Sequence, residues 1–207
     1  MDIKKEQSME QTILEVAEKL FLEKGFAMTS TTEIAKAVGC NQALVHYYFR
    51  TKDNLFNSIF EHKFSKFFQG ISKITNLEQL GFQDKLRCII ESHFDLLIEN
   101  PKMPALILNE LSRQSGQIDA LREKLFTSNQ QLFTVMNEEL QTEIKNGRVR
   151  EISIIDLVLS MLSLNIALFI MMPVLIGVLQ LDEEQKELLI QHRRTENVDF
   201  VLNSLRP

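Results

Sequence analysis

Residues 29–55 constrain the fold of this chain more than any other stretch. They read TSTTEIAKAVGCNQALVHYYFRTKDNL, and a Ser-x-x-Glu pattern near the start is typical of a helix N-terminus. A short helix is therefore predicted over 31–38, and Gly39 ends it because glycine adopts the left-handed conformation easily. Asn41 supplies an N-cap for a second short helix that reaches Phe49. Two short helices joined by a glycine turn form a helix-turn-helix.

The second short helix is predicted to have an inner and an outer face. Val45 and Phe49 recur at helical spacing and should face inward, together with Val38 of the first helix. The outer face then carries Gln42, Ala43, His46 and Tyr47. Such a face can enter the major groove of DNA, which admits one helix. An ordinary helical hairpin inside an α-helical bundle is the alternative interpretation.

Two runs of residues in this stretch carry a family resemblance. The first is IAKAVG over 34–39, and the second is HYYFRTKDNL over 46–55. Together they resemble the DNA-binding domain of the TetR family of transcriptional regulators. The most specific part is the aromatic cluster followed by Phe, a basic residue, a Ser/Thr-type cap and Lys. This sequence departs from the family pattern at His46, where tyrosine is usual, and at Cys40, where an aliphatic residue is usual.

The resemblance implies a division of roles at a double-stranded operator. Gln42 and Ala43 are expected to contact base edges at the start of the recognition helix. The phosphate backbone is expected to be held by His46, Tyr47 and Lys52, assisted by Thr31. The predicted DNA-binding residues are therefore Thr31, Asn41, Gln42, Ala43, His46, Tyr47 and Lys52.

Charge supports this interpretation locally rather than globally. The whole chain of 207 residues has a net charge of −5, which excludes a generally basic nucleic-acid coat protein. Residues 34–69, however, hold five Lys or Arg residues against Asp53 and Glu61, a surplus of three positive charges. A locally basic face is sufficient to attract phosphate, because the field that matters is local.

The pattern of the whole chain predicts an all-α protein. An N-terminal three-helix helix-turn-helix domain is expected over 1–50. A helical effector-binding and dimerisation domain follows over 51–207. A helix begins after Thr51 and runs to about Gly70, and a long one is predicted over 118–146. Ser153 and Asp182 are predicted to cap the last two helices. The family resemblance implies a homodimer through these two helices, with Leu188 and Val201 among the apolar residues at the interface.

The segment Leu157–Leu179 has no charged residue over 23 positions, which is long enough to cross a bilayer. A membrane-tethered DNA-binding protein is therefore one alternative. Asn165 within the segment, and Pro173 and Gly177 near its end, argue against a span. A helix that is apolar all round also suits the centre of an α-helical dimer. We predict no membrane association. A helical binding module that does not bind DNA is a second alternative.

Aromatic and sulfur-containing side chains in the C-terminal helices predict an effector cavity. Flexible methionines and flat phenylalanines suit a site for a small apolar or amphipathic molecule. Asn165 is the polar group that would orient this effector. The predicted ligand-binding residues are Phe94, Met103, Phe133, Met136, Met161, Asn165 and Phe169. The expected function is a repressor that such an effector releases from its operator.

No catalytic, metal or cofactor site is predicted. The four histidines are not paired at metal-ligand spacing, and neither are Cys40 and Cys88. His93, Glu110 and Asn165 could meet inside the bundle, but as ordinary hydrogen-bonded core groups rather than as an active site. The N-terminus is polar and lacks the apolar core of a signal peptide, so a reduced cytoplasmic setting is expected.

Overall fold

The computed structural model describes residues 3–77, 79–111 and 127–207, and every regular element in those ranges is helical. The prediction of an all-α fold is confirmed. In chain order the elements are α1 (Ile3–Lys24), α2 (Thr31–Val38), α3 (Gln42–Phe49), α4 (Lys52–Thr75), α5 (Phe82–Glu99), α6 (Met103–Leu111), a 3₁₀ turn (Thr127–Asn129), α7 (Gln130–Lys145), α8 (Ile154–Leu179) and α9 (Glu183–Ser204).

The described residues group into two compact units. The first contains 3–66 and 105–111, and the second contains 67–77, 79–104 and 127–207. The division into domains at residue 50 remains a prediction.

The helix-turn-helix in the first unit has the predicted bounds and the predicted caps. The Ser30 hydroxyl accepts a hydrogen bond from the Glu33 N–H at 3.1 Å, and Gly39 follows α2 with φ of 80°. The Asn41 Oδ1 accepts from the Leu44 N–H at 2.9 Å and starts α3. The Glu33 carboxylate pairs with Lys24 of α1, so it links two helices.

Aromatic rings connect the end of α1 with the start of α4. Gly25 ends α1 in the left-handed conformation, and the chain turns so that the Phe26 ring lies 5.3 Å from the Phe21 ring. Phe56 of α4 packs at 4.8 Å from Phe26, and Phe60 packs at 4.5 Å from Phe56. All four side chains are buried. The start of α4 is therefore packed against the end of α1 and the loop that follows it.

The second unit is built on α5, α8 and α9, which contain two groups of buried apolar side chains. The larger group includes Ile90 and Met161, and the smaller includes Phe94 and Leu168. Asn165 lies on α8 between Met161 and Leu168, and its side chain is fully buried. A polar residue therefore sits between two apolar groups on one helix.

The last two helices begin as predicted. The Ser153 hydroxyl accepts from the Asp156 N–H at 3.0 Å, and Asp182 forms a full capping box with Gln185. On α9, Leu188 is 63% exposed, whereas Val198 and Val201 are buried in the unit's own core. Placing Val201 at an interface between subunits was therefore wrong.

Two predicted helix ends differ from the structure. The α4 helix passes through Gly70 and ends at Thr75, because one glycine costs only about 1 kcal/mol inside a helix that is stabilised by packing. The predicted long helix over 118–146 is helical over 130–145, and a 3₁₀ turn precedes it at 127–129. Residues 118–126 lie outside the described part of the chain.

Candidate functional site

The exposed face of α3 forms the first candidate site. Gln42, Ala43, His46 and Tyr47 are all exposed, as predicted, and 62% of Tyr47 is accessible. Val45 and Phe49 are buried on the opposite side of the same helix. This exposed face has the composition needed to contact DNA, but the individual contacts stay predictions.

Both polar atoms of the Gln42 amide form hydrogen bonds with threonines in the first turn of α2. Its Nε2 donates to the Thr31 hydroxyl at 3.1 Å, and its Oε1 accepts from the Thr32 hydroxyl at 3.0 Å. These two bonds orient the amide and leave one N–H and one lone pair unused by them. A glutamine in this state offers the adjacent donor and acceptor that adenine requires. Thr32 was not among the DNA-binding residues predicted from the sequence.

The Lys52 ammonium makes contacts within the protein that stabilise the fold. Its Nζ donates to the carbonyl oxygens of Phe26 at 2.9 Å and Thr29 at 3.0 Å, and lies 4.2 Å from the centre of the Phe26 ring. An ammonium group has three donors, so one remains for a phosphate oxygen. Lys52 therefore orders the loop before α2 in addition to its predicted role. The N-cap Asn41 likewise has a structural function, because its Oδ1 is used in capping α3.

Ion pairs neutralise several charged side chains of this unit. The Lys24 ammonium lowers the pKa of the Glu33 carboxyl through its side-chain hydrogen bond. Lys63 pairs with Glu18 at 2.9 Å. Lys36 is exposed on α2 and carries positive charge near the helix-turn-helix. Each ion pair has no net charge, so among these residues Lys36 is the one that attracts an anionic ligand.

The predicted ligand-binding residues do not form one cluster. The rings of Phe94 and Phe169 lie 5.3 Å apart in an edge-to-face arrangement, within the smaller apolar group. Met136 and Met161 belong to the larger group. All four side chains are buried in these two apolar groups. The remaining apolar members are Met103, which is buried, and Phe133, which is half-buried.

Asn165 makes three hydrogen bonds with protein groups. Its Nδ2 donates to the Ile90 carbonyl at 3.0 Å and lies 3.1 Å from His93 Nδ1. Its Oδ1 accepts from Asn197 Nδ2 at 2.9 Å, and Asn197 Oδ1 accepts from Arg193. His93 and Asn165 therefore meet as considered from the sequence, whereas the Glu110 side chain lies outside the described residues.

The polar chain from Arg193 to His93 links α5, α8 and α9. Burial lowers the pKa of His93 to about 4, so its ring is neutral near pH 7. The sequence reading missed Asn197. A signal was present, since Asn197 lies between Ile190 and Val201 at the 7- and 4-residue spacing of the buried face of α9.

A capped α3 helix with an exposed polar face, carried on a small three-helix core, defines a helix-turn-helix DNA-binding regulator. Residues 13–59 match the family model described as bacterial regulatory proteins, tetR family. The chain is a transcriptional regulator of the TetR family.

Known relatives agree with this assignment. The fatty acid metabolism regulator protein of Bacillus subtilis is 23% identical over 139 residues, which cover 67% of this chain and 70% of that protein. The regulator AcrR of Shigella flexneri is 42% identical over 55 residues, which span only 27% of this chain and 26% of that protein. The crystal structure of FadR from Bacillus subtilis in complex with stearoyl-CoA has a TM-score of 0.69 at 18% identity. The structural match covers 95% of this chain and 99% of that one, and so establishes a shared fold.

Proposed function

We propose that this regulator is a repressor that binds a nearly palindromic operator through α3. The observation that carries the proposal is the exposed N-terminal part of α3, where Thr31 and Thr32 orient the Gln42 amide. A two-fold dimer presents two such helices, so the half-sites should be separated by one helical turn or a multiple of it. Sequencing genomic DNA fragments that co-purify with the protein tests this proposal. Recovery of no genomic DNA at low salt would favour a helical module that does not bind DNA.

We infer that a homodimer forms through α8 and α9. Nine large apolar side chains are exposed on these two helices: Ile155, Leu159, Ile170, Met171, Val174, Val178, Leu179, Leu188 and Phe200. The seven on α8 extend from its first turn to its last. An apolar surface of this extent is normally covered in a soluble protein. A second copy of the chain provides an equal surface related by two-fold symmetry.

The same exposed surface raises the membrane alternative. The α8 helix is the one helix among the described residues that is long and apolar enough to cross a membrane. Asn165 at its centre is bonded to α5 and α9, which favours a helix packed inside a folded protein. We therefore place the regulator in the cytoplasm. Retention in the membrane fraction after salt washing, with release only by detergent, would contradict this.

We propose an apolar or amphipathic effector for the second unit. Two observations support the class: the Phe and Met side chains on α5, α7 and α8, and the relative whose crystal structure contains stearoyl-CoA. Long-chain acyl thioesters are therefore the first compounds to test. The α4 helix has Lys52–Lys66 in the first unit and Phe67–Thr75 in the second, so it is a continuous covalent and hydrogen-bonded route for coupling.

Thermodynamic linkage gives this mechanism a strict test. If an effector weakens operator binding by some factor, operator DNA must weaken effector binding by the same factor. Stearoyl-CoA should first be titrated against a protein–operator complex to measure release. The same compound should then be titrated into the protein with and without operator DNA. Equal affinities in the last two titrations would rule out repression by effector-induced release, even for a tightly bound compound.

A further inference from the structure

The hydrogen atoms in the buried polar chain can be assigned from one end to the other. The Arg193 guanidinium can only donate, so the group of Asn197 that it contacts is the acceptor Oδ1. Asn197 Nδ2 must then donate to Asn165 Oδ1. This leaves Asn165 Nδ2 with two hydrogens, one directed to the Ile90 carbonyl and one to His93 Nδ1. The acceptor in the last bond is therefore His93 Nδ1.

This assignment fixes the tautomer of His93. A neutral imidazole has one protonated nitrogen, and Nδ1 accepts a hydrogen bond here, so the proton is on Nε2. Burial also keeps the ring neutral by lowering its pKa to about 4. The geometry thus directs a single N–H donor away from the Asn165 side chain. Asn165 is a positioning residue that acts through His93.

The Nε2–H donor has no acceptor among the residues that the structure describes. His93 is only 5% exposed, yet every fully enclosed polar side-chain atom in the described ranges has a partner. The Nε2 atom is therefore not fully enclosed and keeps some accessible surface. The Phe67 ring lies beside the imidazole, with the two ring centres 5.6 Å apart. A lone donor in apolar surroundings is the pattern expected of a ligand site with one orienting polar group.

We propose that His93 Nε2–H is the polar anchor of the effector site and binds the carbonyl oxygen of an uncharged apolar ester, thioester or amide. A neutral N–H donor stabilises an uncharged acceptor, whereas a buried carboxylate would need a cationic partner. The inference rests on the proposed effector function and gives His93 the orienting role predicted for Asn165. The amide of Asn165 is occupied by Ile90, His93 and Asn197.

A matched pair of probes tests the carbonyl directly. Methyl octanoate and methyl octyl ether share the same chain and differ only in the carbonyl oxygen. Calorimetry should show tighter binding of the ester to the wild-type protein by about two- to tenfold, the range of one net hydrogen bond. The infrared carbonyl stretch of the bound ester should move to lower frequency than in hexane. Equal affinities, an unshifted stretch, or no binding of either probe would each overturn the proposal.

Two conservative variants separate the two nitrogens of the ring. His93→Gln places an amide N–H at the position of Nε2, whereas His93→Asn places an acceptor at the position of Nδ1 and removes the distal donor. The preference for the ester should persist in His93→Gln and be lost in His93→Asn. A preference that survives in a folded His93→Asn protein would overturn the proposal. Operator binding by the wild-type protein is measured separately, so failure of the ester test leaves the DNA-binding function intact.

Discussion

Acid should destabilise this protein through His93, and His93→Gln should remove that component of the pH dependence. The folded-state pKa of His93 is lowered from 6.5 to about 4 by burial. The unfolded chain therefore binds a proton more readily than the folded protein between these two values. Stability contributed by the neutral ring is fully present above pH 6.5 and is lost as the pH falls toward 4.

The size of the effect follows from the two pKa values. One pKa unit corresponds to about 1.4 kcal/mol, so the full difference between pH 7.5 and pH 3 is about 3 kcal/mol. At pH 5, the unfolded histidine is almost fully protonated and the folded one is mostly neutral. About 2 kcal/mol of the free energy of unfolding should therefore be lost between pH 7.5 and pH 5.

Urea unfolding at pH 7.5 and pH 5 measures this loss. The wild-type protein and His93→Gln share all other titrating groups, so the difference between their pH dependences isolates His93. His192→Gln is a matched control because His192 is exposed on α9 of the same unit, and it should follow the wild type. If His93→Gln loses as much stability as the wild type on acidification, then the ring is not buried in its neutral form and the assigned tautomer has no support.

Three further results are expected. Lys52→Ala should weaken binding to all DNA sequences alike and reduce the salt dependence by about one unit, and it should also lower the melting temperature because two carbonyl contacts are lost. Gln42→Ala should relax preference at one or two base pairs by about 1–3 kcal/mol, and Thr32→Val should relax the same positions more weakly. A changed preference elsewhere in the operator would contradict the orientation of Gln42 by Thr32. Leu188→Asp should give folded monomers in sedimentation experiments, whereas Val201→Asp should unfold the protein; a folded dimer of Leu188→Asp would place the interface elsewhere.

Local chemistry made the DNA-binding part of the chain predictable. Ser30, Gly39 and Asn41 act within three or four residues of their own position, through hydrogen bonds and a left-handed backbone conformation. Such signals need no knowledge of the remaining fold. Gly70 shows the limit of local reasoning, since packing along α4 outweighed the preference of glycine for a helix end.

Contacts between distant residues could not be read from the sequence. Asn165 and His93 are 72 residues apart, and Lys52 reaches a carbonyl 26 residues away. Residue type indicated that Asn165 would be important but not which atoms would bind it. The hydrogen bonds of Asn165 depend on the packing of α5, α8 and α9 around it. Because these bonds occupy the Asn165 amide, the residue proposed to anchor the effector is His93 rather than Asn165.

The apolar residues of α9 show what the sequence determines and what the tertiary structure determines. The sequence by itself determined that this segment is an amphipathic helix capped by Asp182, because spacing and capping are local properties. It did not determine which apolar residue faces the subunit's own core. Only the tertiary structure buried Val201 against α5 and α8 and left Leu188 exposed. The reason is physical: exposure to water disfavours both side chains, and the direction of burial depends on where the neighbouring helices pack.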